Sequence, residues 1–435
     1  MYCPLPWIHL GIRNNGDLRV CCHANQGSDK GLLRKPDGSV YNTEFDNIDK
    51  ARNSQKMKDI RKAFLNNEWH SECIRCTREE LGGVTSRYTF EKEPWKKYVN
   101  EEKIQKYTEK DGTIDLEKFP LIYPDIRFGN KCNLACRVCA PTESTGWYKD
   151  HYQLFGPKYN ESNNRVVTII KKDNEYNINK DIYNSWYKSD NFWNQMYNSI
   201  PYIKQIYMVG GEPLIIDEHY NFLEKCINQG YAKDIVIEYN TNLFSIPNKA
   251  WDIWKEFKRI EFGVSIDGIE KQNDYMRYPS KWNIIVKNIN KIIKTMDNYS
   301  LRTTITVSIY NILYLPELFN WILEQNFPPE VNSKKKPFGS IHPLHRSFEK
   351  NIKALPINIK NKIKEELENS TIFKTNEIAK KTINQYIEFM FKEDLSRYFQ
   401  IFLEINKKLD KVRNEKFEEV FPELDKILKE QIEIY

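Results

Sequence analysis

"KCNLACRVCA", Lys131 to Ala140, places Cys132, Cys136 and Cys139 within eight residues, and the next cysteine along the chain is Cys226. Structural zinc wants four ligands in a tetrahedron, usually from two C-x2-C-like knuckles. Here a single C-x3-C-x2-C run stands alone. A [4Fe-4S] cluster takes one outside ligand per iron, so three cysteines on one loop leave one iron open to a substrate or cofactor. The spacing therefore favours iron–sulfur over zinc. The preceding "PDIRFGN" reads as a strand, which puts the thiols at a strand exit, where parallel α/β folds build their sites.

Working outward, more strands end in polar residues. "IYMVGGEP" is an apolar run leading into Gly210, Gly211, Glu212 and Pro213. Paired glycines let the backbone approach a ligand closely, and the glutamate can accept from an amine. "IVIEYNTN" exits through Asn240 and Asn242, and "IEFGVSIDG" through Ser265, Asp267 and Gly268. Any one of these is also an ordinary βα turn. Their succession is not explained by turns.

As a set these motifs resemble the radical S-adenosylmethionine superfamily, over about residues 120–345. The resemblance implies an α/β fold, a partial (β/α)6 barrel. It also implies that Cys132, Cys136 and Cys139 hold a [4Fe-4S] cluster whose fourth iron chelates S-adenosyl-L-methionine. Reduction, from an electron donor such as flavodoxin or ferredoxin, would cleave that cofactor to a 5′-deoxyadenosyl radical that abstracts a substrate hydrogen. Gly210, Gly211, Glu212 and Pro213 match the segment receiving the methionine amino group. Ser265 and Asp267 match the strand approaching the ribose, and Asn240 and Asn242 belong to the same cofactor-binding set. Val138 stands where an aromatic residue is common, and its apolar side chain still fits against adenine.

The amino-terminal cysteines read C-x12-G-x4-C (Cys3, Gly16, Cys21) and then C-x2-C (Cys73, Cys76). Composition alone allows a zinc ribbon on these four thiols. The segment resembles the twitch domain, the shortened relative of the SPASM domain, which implies an auxiliary [4Fe-4S] cluster on Cys3, Cys21, Cys73 and Cys76. Better-known relatives carry that domain after the barrel, whereas here it comes first. Cys22 adjoins Cys21, but on an extended strand it points the opposite way. His9, His23 and His70 are expected to be packed or hydrogen-bonded rather than ligating. Cys226, in "YNFLEKCINQG", reads as core.

The chain has 435 residues, of which 40% are hydrophobic and nine are cysteine. Its mean hydropathy is −0.69. No apolar run approaches the ~20 residues of a membrane span, and the start lacks a secretory pattern. A cytoplasmic chain is the expectation, and in that compartment clustered cysteines point to metal or catalysis before disulfides. The net charge of +6 is spread among interleaved lysines and acids, so a nucleic-acid surface is not indicated. Four regions are expected. Residues 1–90 form the auxiliary-cluster domain, 91–120 a linker and 121–345 the barrel with an insertion at about 150–200. Residues 346–435 form a helical region whose charges lie on solvated faces. Strands are expected near 122–129, 203–209, 234–240, 259–266, 302–310 and 338–343. A helix at 280–296, capped by Ser280, should bury Trp282, Ile285, Val286, Ile289 and Ile293.

The expected function is an enzyme that abstracts a substrate hydrogen, an auxiliary cluster assisting oxidation or modification of a peptide or protein. Oxidation or epimerisation of a sugar, aminocyclitol or other small molecule is the alternative. A non-catalytic metal-binding scaffold is the second alternative. No catalytic base is assigned. Asp217, His219 and Arg277 lie near strand ends, with Arg277 expected in a surface salt bridge and, as the alternative, reaching the cofactor carboxylate.

Overall fold

Among the described residues eight strands, most of them carrying buried apolar residues, pair into one largely parallel sheet. A computed structural model gives the fold and describes residues 2–81, 86–160, 166–325, 327, 337–345 and 347–432. The strands in chain order are β1 (His9–Ile12), β2 (Leu18–Arg19), β3 (Tyr123–Phe128), β4 (Lys158–Asn160), β5 (Val166–Lys172) and β6 (Glu175–Ile178). They continue with β7 (Gln205–Gly210), β8 (Val236–Thr241), β9 (Arg259–Ser265), β10 (Tyr299–Val307) and β11 (Ser340–Pro343). The sheet runs β11-β10-β9-β8-β7-β3-β1-β2 and the remaining three strands form a separate sheet, β4-β5-β6.

All six strands expected from the sequence are present, as β3 and β7 to β11, and they lie side by side in chain order. β7 is followed by the helix Asp217–Asn228, β8 by Asn248–Lys255, β9 by Glu270–Met276 and Trp282–Thr295, and β10 by Leu315–Glu324. Parallel neighbours require such crossovers. Among the described residues the sheet order ends at β11 and β2, so the sheet is open, in keeping with the expected partial barrel. One feature was not legible in advance: β1 pairs parallel with β3 and β2 antiparallel with β1, so the amino-terminal segment extends the sheet.

The chain divides into two compact units, and the division passes through β8 and β9. The first comprises residues 1–131, 180–239 and 247–260. In it Phe128 stacks on Trp186 at 6.2 Å with rings 3° from parallel, and Trp193 lies on the same ring. Two fully buried guanidiniums act as backbone staples. Arg52 donates to the carbonyls of Trp7 and Phe119, and Arg61 to those of Pro6, Arg52 and Gly112. They fasten the stretch 91–120, whose Trp95, Val99, Ile104, Ile114 and Phe119 are buried.

The second unit comprises residues 132–179, 240–246 and 261–435. It holds β4 to β6 within the expected insertion, where residues 161–165 lie outside those described. Its helix Trp282–Thr295 buries Ile285, Ile289 and Ile292. Ile293 is instead exposed, because the stripe i, i+4, i+7 ends one residue earlier. Ser280 is not the cap either. Lys281 occupies that position, and the Ser280 hydroxyl bonds Asp274.

In the first unit the buried His219 ring bonds the Ile216 carbonyl at 2.6 Å and the Tyr239 hydroxyl at 3.0 Å. Because a carbonyl only accepts, Nδ1 carries the hydrogen and Nε2 accepts from Tyr239. Burial lowers this imidazole to about 3. The unfolded ring gains its proton near its ordinary value and the folded ring does not. Stability from this group is therefore present above about pH 6.5 and lost as pH falls toward 3. Between pH 6.5 and 5 wild type should lose about 2 kcal/mol more than His219→Asn. Unfolding curves across that range check it, and parallel curves would contradict it.

Candidate metal centres

Cys132 follows β3 and opens the loop of the second unit. Its sulfur accepts from the Leu134 amide at 3.5 Å and lies 3.9 Å from Asn242 Nδ2, which also donates to Asn133 at 2.8 Å. Cys136 is buried and its sulfur lies 3.8 Å from Arg277 Nη1. A hydrogen bond from Cys139 lowers the Cys136 thiol and, in return, pushes Cys139 well up. The loop is pinned at both flanks of Cys136, since the amides of Ala135 and Arg137 donate to the carbonyls of Tyr278 and Met276. N–H groups aimed at sulfur suit anionic thiolates, so the donor set fits a cluster held by three cysteines.

Arg277 is the correction here. It does not lie in a surface salt bridge: it is buried, paired with the fully buried Asp267 at 2.7 Å, beside a cysteine sulfur. Asp267 also accepts from the Thr306 amide at 2.7 Å. Ser265 ends β9 and is half-buried, as are Val138 and Asn240.

The Gly210–Pro213 segment belongs to the first unit. Gly210 sits at φ +135°, and a β-carbon there would come within 2.2 Å of the Phe128 carbonyl. A β-carbon on Gly211 would be 2.2 Å from the Lys131 carbonyl, the residue before Cys132. The glycines are therefore required by close backbone packing. Glu212 is buried, its amide donates to Lys131 at 2.9 Å and its carboxylate accepts from Leu214 at 3.1 Å. Pro213 opens the short 3-10 turn that follows.

At the amino terminus Cys3, Cys21, Cys73 and Cys76 line one pocket, walled by Leu5, Phe64 and Tyr88. Burial pushes all four thiols up, Cys21 to about 11, and neighbouring sulfurs add to the shift at Cys3, Cys21 and Cys73. Four crowded thiols that resist ionising are what a bound cationic centre would relieve, so they fit a fully ligated cluster. Cys22 points elsewhere, its sulfur accepting from Arg87 Nη1 at 2.7 Å. His9 and His70 are hydrogen-bonded as expected, to the Tyr123 carbonyl and the Glu72 amide. His23 is hydrogen-bonded too, to the Cys76 sulfur. It lines the thiol pocket, with Nδ1 3.9 Å from Cys76 sulfur, and with Glu79 it makes a ligand triad within 4.8 Å.

Of the three residues weighed as bases, Asp217 is exposed and paired with Lys249 at 2.6 Å, and His219 is buried away from solvent. The sequence reading missed a row across the sheet of the first unit. Register pairs Arg19 with Gly11, Gly11 with Asp125, Asp125 with Tyr207 and Tyr207 with Glu238, which puts all five on one face. Asp125 is fully buried, and its nearest described cation is Arg127 Nε at 4.0 Å. The signal was the alternation Tyr123, Asp125, Arg127 in β3.

Residues 3–77 match the model of the SPASM family, described as an iron-sulfur cluster-binding domain, which bears out the cluster-domain reading of the amino terminus. No curated protein sequence matches the chain. Among solved structures, anSMEcpe with bound AdoMet is similar over 48% of this chain and 50% of its own, at 14% identity and TM-score 0.32. anSMEcpe with AdoMet and Kp18Cys peptide is similar over 47% and 48%, at 13% identity and TM-score 0.31. SuiB of Streptococcus suis bound to S-adenosylmethionine is similar over 76% and 64%, at 14% identity and TM-score 0.32. The chain thus spans about half the length of the anSMEcpe structures. No described helix is long and apolar enough to cross a membrane.

Two outcomes follow from the geometry. Gly211→Ala should cost roughly 1–3 kcal/mol, read from the denaturation midpoint, because the clash is with backbone. Cys21→Ala should remove the amino-terminal iron while Cys22→Ala retains it, and the reverse pattern would exchange the two assignments.

Proposed function

We propose that the chain is a radical S-adenosylmethionine enzyme with an auxiliary cluster, acting on a peptide or protein. Its domains are the auxiliary region at 1–90, the linker at 91–120, the open barrel at 121–345 and the helical region at 346–435. The observation that carries the proposal is the pair of distinct thiol sets. One is a set of four in a segment matching an iron-sulfur domain, the other a set of three on the loop after β3. A fully ligated cluster takes four protein ligands, whereas three leave a position for a cofactor.

Cys132, Cys136 and Cys139 would hold the open cluster, with Asn242 donating toward the Cys132 sulfur and Arg277 toward that of Cys136. When bound, cluster and S-adenosylmethionine supply a carbon radical able to take a hydrogen atom from substrate. Gly210, Gly211, Glu212 and Pro213 are assigned to the methionine end of the cofactor, and Val138, Asn240, Ser265 and Asp267 to its nucleoside. The ion pair with Arg277 orients Asp267. Cys3, Cys21, Cys73 and Cys76 would hold the auxiliary cluster that takes up or relays an electron, and a flavodoxin or ferredoxin would reduce the first. The row Arg19, Asp125, Tyr207, Glu238 supports a polar substrate and favours, as second reading, oxidation of a small polyol or aminocyclitol.

The anaerobically reconstituted chain, given dithionite and S-adenosylmethionine, should form 5′-deoxyadenosine and methionine in equal amounts. Cys136→Ala should abolish both. Iron-loaded wild type that makes neither would contradict the proposed activity.

A further inference from the structure

The helical region after residue 395 reaches the cysteine loop through two buried arginines, all within the second unit. Arg137 lies between Cys136 and Cys139 and is fully buried. Its Nε donates to the Tyr275 carbonyl at 3.2 Å and Nη1 to Asn406 at 2.8 Å, while Nη2 donates to Asp410 at 2.5 Å and Glu415 at 2.8 Å. The guanidinium also lies 3.5 Å over the Tyr275 ring, whose hydroxyl bonds Asp410 at 2.7 Å. On the other side of Cys136, Arg413 Nη2 donates to the Ala135 carbonyl at 2.7 Å and Nε to Asp150 at 2.9 Å. Asn406, Asp410 and Arg413 fall at i, i+4 and i+7 on the helix Phe399–Arg413, one stripe facing one loop. Asn414 then turns in the left-handed region at φ +54°, and the Glu415 amide returns to the Asp410 carbonyl.

From this we infer that the carboxy-terminal helix is a positioning element for the loop cluster: Asp410 and Glu415 clamp Arg137, and Arg413 holds Ala135, so that the helix sets where Cys136 presents its sulfur. The inference rests on the cluster assignment above and goes beyond it, since neither the loop motif nor the strand exits involve this region. Two carboxylates on one guanidinium offset its charge. Without them a buried cation would stand uncompensated within the loop that carries the thiols. Arginine is required because a planar fork serves four acceptors, on two helices and the turn after the second, which an ammonium point charge cannot.

The test uses the full chain, reconstituted anaerobically, as wild type, Asp410→Asn/Glu415→Gln and Arg137→Lys. A Cys132→Ala/Cys136→Ala/Cys139→Ala variant defines the amino-terminal iron, and Glu423→Gln, whose described partner is Tyr314, serves as control. Release of loop iron to a ferrous chelator should be roughly 10- to 100-fold faster in both clamp variants, as for other groups that orient metal ligands. The change in the reduced cluster's EPR signal on adding S-adenosylmethionine should shrink with it. Amino-terminal iron should stay, showing that the chain is folded. If the double variant loses both, Arg137→Lys, which keeps charge and stem, decides the matter. Release within twofold of wild type with an unaltered EPR response in Arg137→Lys would overturn the inference. Equal iron in wild type and the triple cysteine variant would instead remove the cluster assignment beneath it.

Discussion

Burial of ionisable sulfur is the constraint on which the structure depends. A thiol in apolar surroundings resists ionisation, and several together resist it more, because each thiolate repels the next. The chain accepts that cost in two places, and the two are built differently. At the amino terminus four thiols share a pocket with largely apolar walls. In the loop after β3 the sulfurs are met by a backbone amide at Cys132 and by Arg277 at Cys136. Donors reach the amino-terminal set as well: His23 lies 3.9 Å from the Cys76 sulfur, and Arg87 lines the pocket and opposes the rise at Cys21. What differs is the count, four thiols against three, and only the three leave a position open on a four-iron centre.

Charge balance extends outward from the loop. Arg277, Arg137 and Arg413 surround it, and each has its own carboxylate: Asp267, the pair Asp410 and Glu415, and Asp150. Guanidiniums at such density are tolerated in a buried setting only when paired and hydrogen-bonded. The parallel sheet supplies the frame. The exits of β3 and β7 to β10 carry polar or glycine residues, at ends that helical crossovers leave free for loops.

The fold was largely legible because its signals are local. Strands β7 to β9 are apolar runs with polar or turn exits, β3 and β10 alternate apolar with polar residues, and the cysteine spacing names its chemistry within eight residues. What escaped reading is nonlocal. Strand β1 is only four residues in a cysteine-bearing segment, and it becomes a sheet strand through β3, more than a hundred residues away. Asp410 and Arg413 look like solvated helix charges in "INKKLDKVR", and only the facing loop makes them buried partners. Arg277 failed for the same reason, since nothing in "NDYMRYPS" signals that Asp267 and Cys136 await it. Ile293 and Ser280 show a smaller error at the two ends of one helix, which starts one residue later than read and closes its buried stripe at Ile292.

The most direct measurement is iron, sulfide and zinc per chain after anaerobic reconstitution, in wild type and in the Cys132→Ala/Cys136→Ala/Cys139→Ala variant. Two thiol sets holding two four-iron clusters predict about eight irons with matching sulfide, falling to about four in the variant. Zinc alone, with no iron lost in the variant, would contradict the account at its root.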